Sequence, residues 1–333
     1  MRKDFSTMKK ITLLLLTLCG MCYLQARGLY NNTFGDDRLG YFNHLDIAVT
    51  AGTTGIGVEV ASPIGKYVQV RTGFDYMPHI NVNMDFGIQV VKASEISVTP
   101  EKSQERFTEL HEILQSLMGV DIEDKITMKG QPRFNNFKLL FDVFPFENKK
   151  WRFTAGFYAG PSLIGKAENS MEDMATLMSV NFYNNIYENV LVGNPVVTIP
   201  PDNSIYLPPS IEKRIKDTGQ MSMHVGDFKD TGNQYRMVPN EKSMVTIKVK
   251  ANRFKPYLGF GYGNSIVPKS KYSYSFDCGL LFWGGKPSVI THDGVDLVHD
   301  VTNLNGKVKR CVNMIKAVSA YPVINFRISR RIL

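Results

Sequence analysis

The chain has 333 residues, a formal charge of +8 at pH 7, 43% hydrophobic residues and 21% charged residues. Arg2, Lys3, Lys9 and Lys10 against Asp4 account for +3 of that charge, which leaves +5 for the rest of the chain. This is modest for the length. With no basic stripe interleaved with aromatics it excludes a nucleic-acid binder.

The first 26 residues read as a secretory signal peptide. The four basic residues form the n-region, Ile11 to Leu18 the apolar h-region, and Leu24-Gln25-Ala26 the cleavage site, so the mature chain is expected to span 27–333. The apolar segment is too short to anchor the chain by itself. Cys19 and Cys22 follow the bulky Leu18 and Met21, which argues against lipid attachment. No long uninterrupted apolar run follows, so membrane residence requires strands. The slightly negative mean hydropathy is compatible with that, because a barrel hides half of each strand's polarity.

Eight segments alternate apolar and polar residues with a period of two, the mark of a strand with two unlike faces. They run His44 to Ala51, Ile56 to Ser62, Tyr67 to Met77, Phe137 to Phe146, Trp151 to Ile164, Phe254 to Gly263, Lys271 to Trp283 and Ala320 to Ile332. Gly52-Thr53-Thr54-Gly55, Pro63-Ile64-Gly65, Glu147-Asn148-Lys149-Lys150 and a segment around Pro268 supply short turns. The links of about 78–136, 165–253 and 284–319 are long and all fall on the opposite side from the last three turns. Short turns at one end and long loops at the other match the asymmetry of outer-membrane barrels.

The long loops contain elements of their own. Thr99-Pro100 opens a helix to Met118, with Phe107, Leu110, Leu114, Leu117 and Met118 as its stripe and Gly119 as its cap. A second helix is expected from Ser170 through Met171, Met174 and Met178, and a short third from Ser210 to Lys216. Pro195 to Pro209 reads as extended, and Val82 to Val90 and Met244 to Ala251 as strands continuing beyond the membrane. No internal repeat is visible.

Alternation places Asp46, Glu59, Arg71, Asp75, Lys138, Asp142, Arg152, Lys255, Asp277 and Arg327 on the polar face, five acids and five bases. Charges inside a narrow barrel must be paired or hydrated, and an eight-stranded interior is just wide enough for side chains to fill. A salt-bridged plug is therefore expected in place of an open pore. Gly259, Gly261 and Gly263 share that inward face and leave room for long Arg and Tyr side chains. No strand–glycine loop–helix unit surrounds them, so they are not a nucleotide site. Tyr67, Tyr76, Trp151, Tyr262 and Tyr272 lie near strand ends, where interfacial aromatic girdles sit. Cys278 lies on an apolar face and Cys311 in or near a loop, so both read as unpaired thiols.

No His-Glu-x-x-His, Gly-x-Ser-x-Gly or Cys-x-x-Cys pattern follows the signal, so no catalytic residue, metal or cofactor is expected. One cluster has metal-ligand or acid–base chemistry: His292, Asp293, Asp296, His299 and Asp300 in the last long loop. A solvated polar loop explains it more simply.

Ala51-Gly52-Thr53-Thr54-Gly55-Ile56-Gly57-Val58-Glu59, Lys255-Pro256-Tyr257-Leu258-Gly259-Phe260-Gly261 and Tyr321-Pro322-Val323-Ile324-Asn325-Phe326 resemble strands of the small Gram-negative outer-membrane β-barrel proteins of the OmpA-like and OmpX-like class. Within that class the chain is most similar to members with long, partly helical outer loops. The resemblance implies engagement of the last strand by the barrel-assembly machinery, although the chain runs on past Phe326 to Leu333. The fold expected is all-β: an eight-stranded antiparallel up-and-down transmembrane β-barrel with short helices in the extracellular loops. Its place is the outer membrane and its partners are outer-membrane lipid and an extracellular ligand or host surface. The expected role is non-enzymatic: structural support, adhesion or surface interaction. The alternatives are a small ion or solute channel and an enzyme at the barrel rim. A soluble lipocalin-like barrel would need the apolar face inside, opposite to the charge pattern.

Overall fold

The computed structural model describes residues 40–332 other than 43, 93–94, 96–97, 120, 201–202, 264–271, 305 and 318. The signal segment and the turn around Pro268 lie outside the described residues.

Among the described residues, nineteen strands and four helices follow in chain order. Three strands come first: β1 (Asp46–Gly52), β2 (Gly55–Pro63) and β3 (Val68–Tyr76). The first long link holds β4 (Val82–Gly87), β5 (Gln89–Val91), α1 (Pro100–Met118) and β6 (Lys125–Pro132). After β7 (Asn136–Val143) and β8 (Trp151–Ala159), the second link holds β9 (Leu163–Asn169), α2 (Met174–Val192), β10 (Val197–Ile199), β11 (Asn203–Ile205), α3 (Pro209–Thr218), β12 (Gln220–Phe228), β13 (Gln234–Met237) and β14 (Thr246–Lys250). Next come β15 (Phe254–Gly263) and β16 (Tyr272–Phe282). The third link holds β17 (Ser288–Thr291), β18 (Val301–Thr302) and α4 (Gly306–Ala317) before β19 (Ala320–Arg331).

Eight strands close into an antiparallel barrel in the order β1-β19-β16-β15-β8-β7-β3-β2, each beside its neighbour in the barrel's chain sequence. Closure is made by β1 on β19, with Asp46 opposite Arg331 and Gly52 opposite Asn325. The β1–β2 turn needs Gly55 at a φ of 98°, where a side chain would also strike the Tyr76 carbonyl. The period-two pattern appears directly in exposure: Phe153 is 61% exposed and Arg152 1%. Phe276 faces out and Asp277 in. The fifth segment stops at Ala159, short of Ile164: the chain turns through Gly160-Pro161-Ser162, and Leu163 opens β9 in another sheet. Among the described residues no helix is long and apolar enough to cross a membrane, which says nothing against a crossing by strands.

The three long links fold together into one head. A five-stranded sheet, β17-β14-β9-β6-β4, takes strands from all three links. A second sheet, β13-β12-β18 with β5 also on β12, again draws on all three. Helices α1 and α2 pack into the same core, where Leu110, Leu114, Leu177, Met221 and Val301 are at most 1% exposed. Each such side chain contributes ~1.5–3 kcal/mol through its removal from water. Helix α1 has the expected bounds, with Thr99 accepting from the Lys102 amide and Gly119 left-handed at φ 65°.

Other expectations for the loops change. Helix α2 starts at Met174 instead of Ser170, and α1 and α2 have 19 residues each, so these helices are not short. The proline-rich stretch forms a β10–β11 hairpin. The Val82 and Thr246 strands belong to the head sheet and do not prolong barrel strands. Cys311 lies on α4, not in a loop, and both Cys278 and Cys311 are free.

Glu95 ties the β5–α1 connection to α1 through two bonds from Arg106, at 2.5 and 2.7 Å. Those bonds hold its carboxyl at about 2, against an ordinary 4.5. A carboxyl lowered by folding stabilises fully above its unfolded value and loses that contribution as pH falls through the folded one. The head should therefore lose near-UV circular dichroism progressively between pH 4.5 and about 2. Arg106→Met should flatten the pH dependence in that interval and leave the head less stable at pH 7.

Candidate functional site: an ion-paired barrel interior

All ten charges assigned to the interior by alternation are buried, each at most 4% exposed. Eight of them form one network across the barrel. Arg71, from β3, stands among three carboxylates: Asp142 of β7 at 2.7 Å, Asp277 of β16 at 3.0 Å and Glu59 of β2 at 3.4 Å. Arg152 of β8 reaches Asp277 at 2.6 Å. Lys138 of β7 sits between Glu59 and Asp75, 2.6 Å from each. Arg327 of β19 reaches Glu59 at 3.0 Å. Thr154 donates to Asp142 at 2.7 Å.

Four carboxylates and four cations thus neutralise one another. Desolvating each ion would cost several kcal/mol, and the short bonds offset that cost. Gly261 makes the packing possible: a Cβ there would lie 2.7 Å from the Arg152 guanidinium and from Asp277.

The remaining two charges lie at opposite ends. Asp46, at the short-turn end, is 4.0 Å from Arg331, a partner that the sequence reading omits. Lys255, at the head end, has an amide partner instead of an acid: it donates to Asn136 Oδ1 at 2.9 Å.

A second layer closes the head end. Leu140, Tyr158, Tyr257, Leu281 and Val323 point inward and pack with Phe134 and Trp283. Tyr158 meets Tyr257 edge-on at 5.7 Å, and Phe134 meets Tyr158 at 5.9 Å. Tyr321 continues the layer and donates its hydroxyl to the Thr53 carbonyl at 2.7 Å. The inward alternation of Tyr257, Leu281 and Val323 was available in the sequence, but only as apolar residues interrupting a polar face.

The outer wall is apolar. Val58, Leu258, Phe260, Tyr274 and Phe326 are all exposed. Tyr67, Trp151, Tyr262 and Tyr272 gather at the short-turn end and Tyr76 at the head end. Trp151 packs on Tyr262 at 4.9 Å, and Arg330 lies over the Tyr272 ring. At the head end Phe157 and Phe254 form another pair at 4.9 Å.

The His/Asp cluster is taken up by its own loop. Asp293 accepts from the Tyr235 hydroxyl at 2.8 Å and from Thr291. Asp296 accepts from the Val298 and Val289 amides and bonds His299 Nδ1 at 2.9 Å. Burial raises the Asp296 carboxyl, but the His299 bond and the amide donors outweigh it and hold it below its usual range. Asp300 accepts from the Asp296 amide. His292 makes none of these bonds. Among the described residues no three His, Cys, Asp or Glu side chains converge as a metal-ligand set.

An apolar outer wall, a neutralised interior and a closed sheet define a transmembrane β-barrel with an ion-paired interior. No family model and no curated protein match the chain. Among solved structures it is similar to CarO2 and CarO of Acinetobacter baumannii, each at 13% identity and a TM-score of 0.36. These cover 87% and 86% of this chain, and 98% and 96% of theirs. It is also matched to the outer-membrane protein OmpT of Vibrio cholerae, at 8% identity and a TM-score of 0.09, over 87% of this chain and 96% of that one. At these scores the likeness carries no argument, and the barrel rests on its own strand pairing.

Asp277 serves both Arg71 and Arg152, so its loss removes the 2.6 Å partner of Arg152 and one of the three carboxylates around Arg71, leaving four buried cations against three acids. Asp277→Asn should destabilise the barrel by ~3–5 kcal/mol, read as a lower urea midpoint for protein folded into lipid vesicles. Lys149→Ala, on the short turn before β8, should shift that midpoint by less than about 1 kcal/mol.

Proposed function

We propose that the chain is a non-enzymatic protein of a Gram-negative outer membrane, in which the barrel is an anchor and the head is the working surface. The observation that carries this reading is the division of labour between the two. The lumen is filled by ion pairs and closed by an aromatic layer, while the three long links build a head with its own core. A conducting or relaying interior would need water or exchangeable charge along the axis; here the central charges are engaged with one another. Structural support, adhesion and contact with a host surface are the roles this arrangement suits.

The head also carries a surface suited to contact. On the face of the five-stranded sheet opposite its apolar side, register aligns Lys125, Lys129, Lys166, Lys248 and Lys250 with only Asp85 and Glu168 as acids. Lys166 and Lys248 are directly opposed, with Lys166 also paired to Glu168, which leaves Lys125, Lys129, Lys248 and Lys250 as the excess positive charge of the face. This face favours an anionic surface over a neutral one.

Two measurements test the reading. Planar-bilayer recordings should give no discrete, stable conductance steps; regular steps would support a channel. Protease applied to intact cells should cut only within the links of 77–135, 160–253 and 283–319, and cuts at 64–67 or 144–150 would reverse the orientation. A separate outcome is expected for the lysine face. Lys129→Glu with Lys248→Glu should weaken retention on a sulfated polysaccharide column, and the loss should shrink as salt rises.

A further inference from the structure

Above the aromatic layer the molecule leaves space unfilled. A cavity of about 500 Å³ lies between the apolar face of the five-stranded sheet, α4 and the rim of the barrel. That size is within the roughly 300–1,000 Å³ of small-molecule sites. Its walls are apolar: Met84 and Val249 come from the sheet, Met314 from α4, and Trp283 and Tyr321 from the rim.

Glycine creates part of the space. A Cβ at Gly165 would meet Val249 at 3.5 Å, an ordinary contact, and its backbone is not left-handed. Neither crowding nor conformation therefore demands glycine here, unlike Gly261, which the Arg152 guanidinium crowds. A larger residue at position 165 would extend into the cavity. The lining methionines can adapt to a flexible guest. Met314 is 64% exposed, so the cavity is open at an apolar mouth beside the rim.

One cation in the lining, Arg133, lacks an acceptor at one nitrogen among the described residues. Arg133 precedes β7, and its Nε is buried with no hydrogen-bond acceptor among the described residues. Lys166, also in the lining, is already paired with Glu168. A buried donor without an acceptor is destabilising, and an incoming anion would relieve it.

We propose that this cavity binds an aliphatic chain with an anionic head group, carboxylate or phosphate. Arg133 takes the head and the chain lies against Trp283, Met84 and Met314. This goes beyond the proposed surface role and does not depend on what the head contacts outside.

The experiment uses the full chain in amphipol, with Trp151→Phe so that Trp283 is the sole tryptophan. Bromine quenches tryptophan on contact, so the probes are a brominated fatty acid, a brominated lysophosphatidic acid and a brominated fatty alcohol. Saturable quenching by the acid or the lysolipid is expected, and which of the two binds tighter identifies the source of the head group. Arg133→Gln should weaken the anionic probes about tenfold or more and leave the alcohol unchanged. Gly165→Leu should abolish saturable quenching by all three, with heat-modifiable gel migration retained as evidence of folding. A second readout needs no cavity variant: in Cys278→Ser protein the fatty acid should slow alkylation of Cys311, which lines the same cavity. Non-saturating quenching, or equal affinity of Gly165→Leu and parent with no protection of Cys311, would overturn the proposal.

Discussion

A charge taken out of water must find an opposite charge or a donor set to replace it. In this protein that requirement acts at the centre of a closed sheet whose outer wall is apolar. Every strand of the barrel therefore has one face committed to hydrocarbon and one to a shared electrostatic problem. The solution is collective. Arg71 touches carboxylates from three other strands, and Glu59 touches Arg71, Lys138 and Arg327. No single strand can slip by one residue without sending its ions into lipid and its aromatics into the lumen. The network fixes register as well as filling space at the centre of the barrel.

The aromatic layer does a different job. Tyr158, Tyr257, Leu281 and Val323 give the head an apolar floor. Ions, aromatics and a folded head make a continuous column of packed side chains. One unfilled volume lies at the edge of that column, where the sheet carries glycine and the rim carries Trp283. A barrel plugged in this way is a firm base, and chemical variety is left to the head and its boundary with the membrane.

Much of the barrel was legible in the chain because both of its constraints are local and periodic. An outward residue every second position gives the strand, and the polar residue between gives the lumen. The ten interior charges could be named because a two-residue period assigns each to a face without knowledge of its neighbours. Helix α1 was equally legible, since Thr99, Pro100 and Gly119 terminate it within its own sequence. The end of β8 was not, because Leu163 to Asn169 keeps a strand-like character while joining a different sheet.

The sequence by itself determined which faces meet lipid, which charges lie inside and where the first and third long links leave the barrel. Only the tertiary structure decided who pairs with whom. Asp46 with Arg331, Arg71 with Asp277 and Lys255 with Asn136 join residues more than a hundred positions apart. The head shows the same division: each of its two sheets takes strands from three links separated by barrel strands, so neither is complete until all three links meet. Periodicity is a property of one segment and can be read from it. Pairing, cavity and core are properties of segments brought together, and exist only once the sheet has closed.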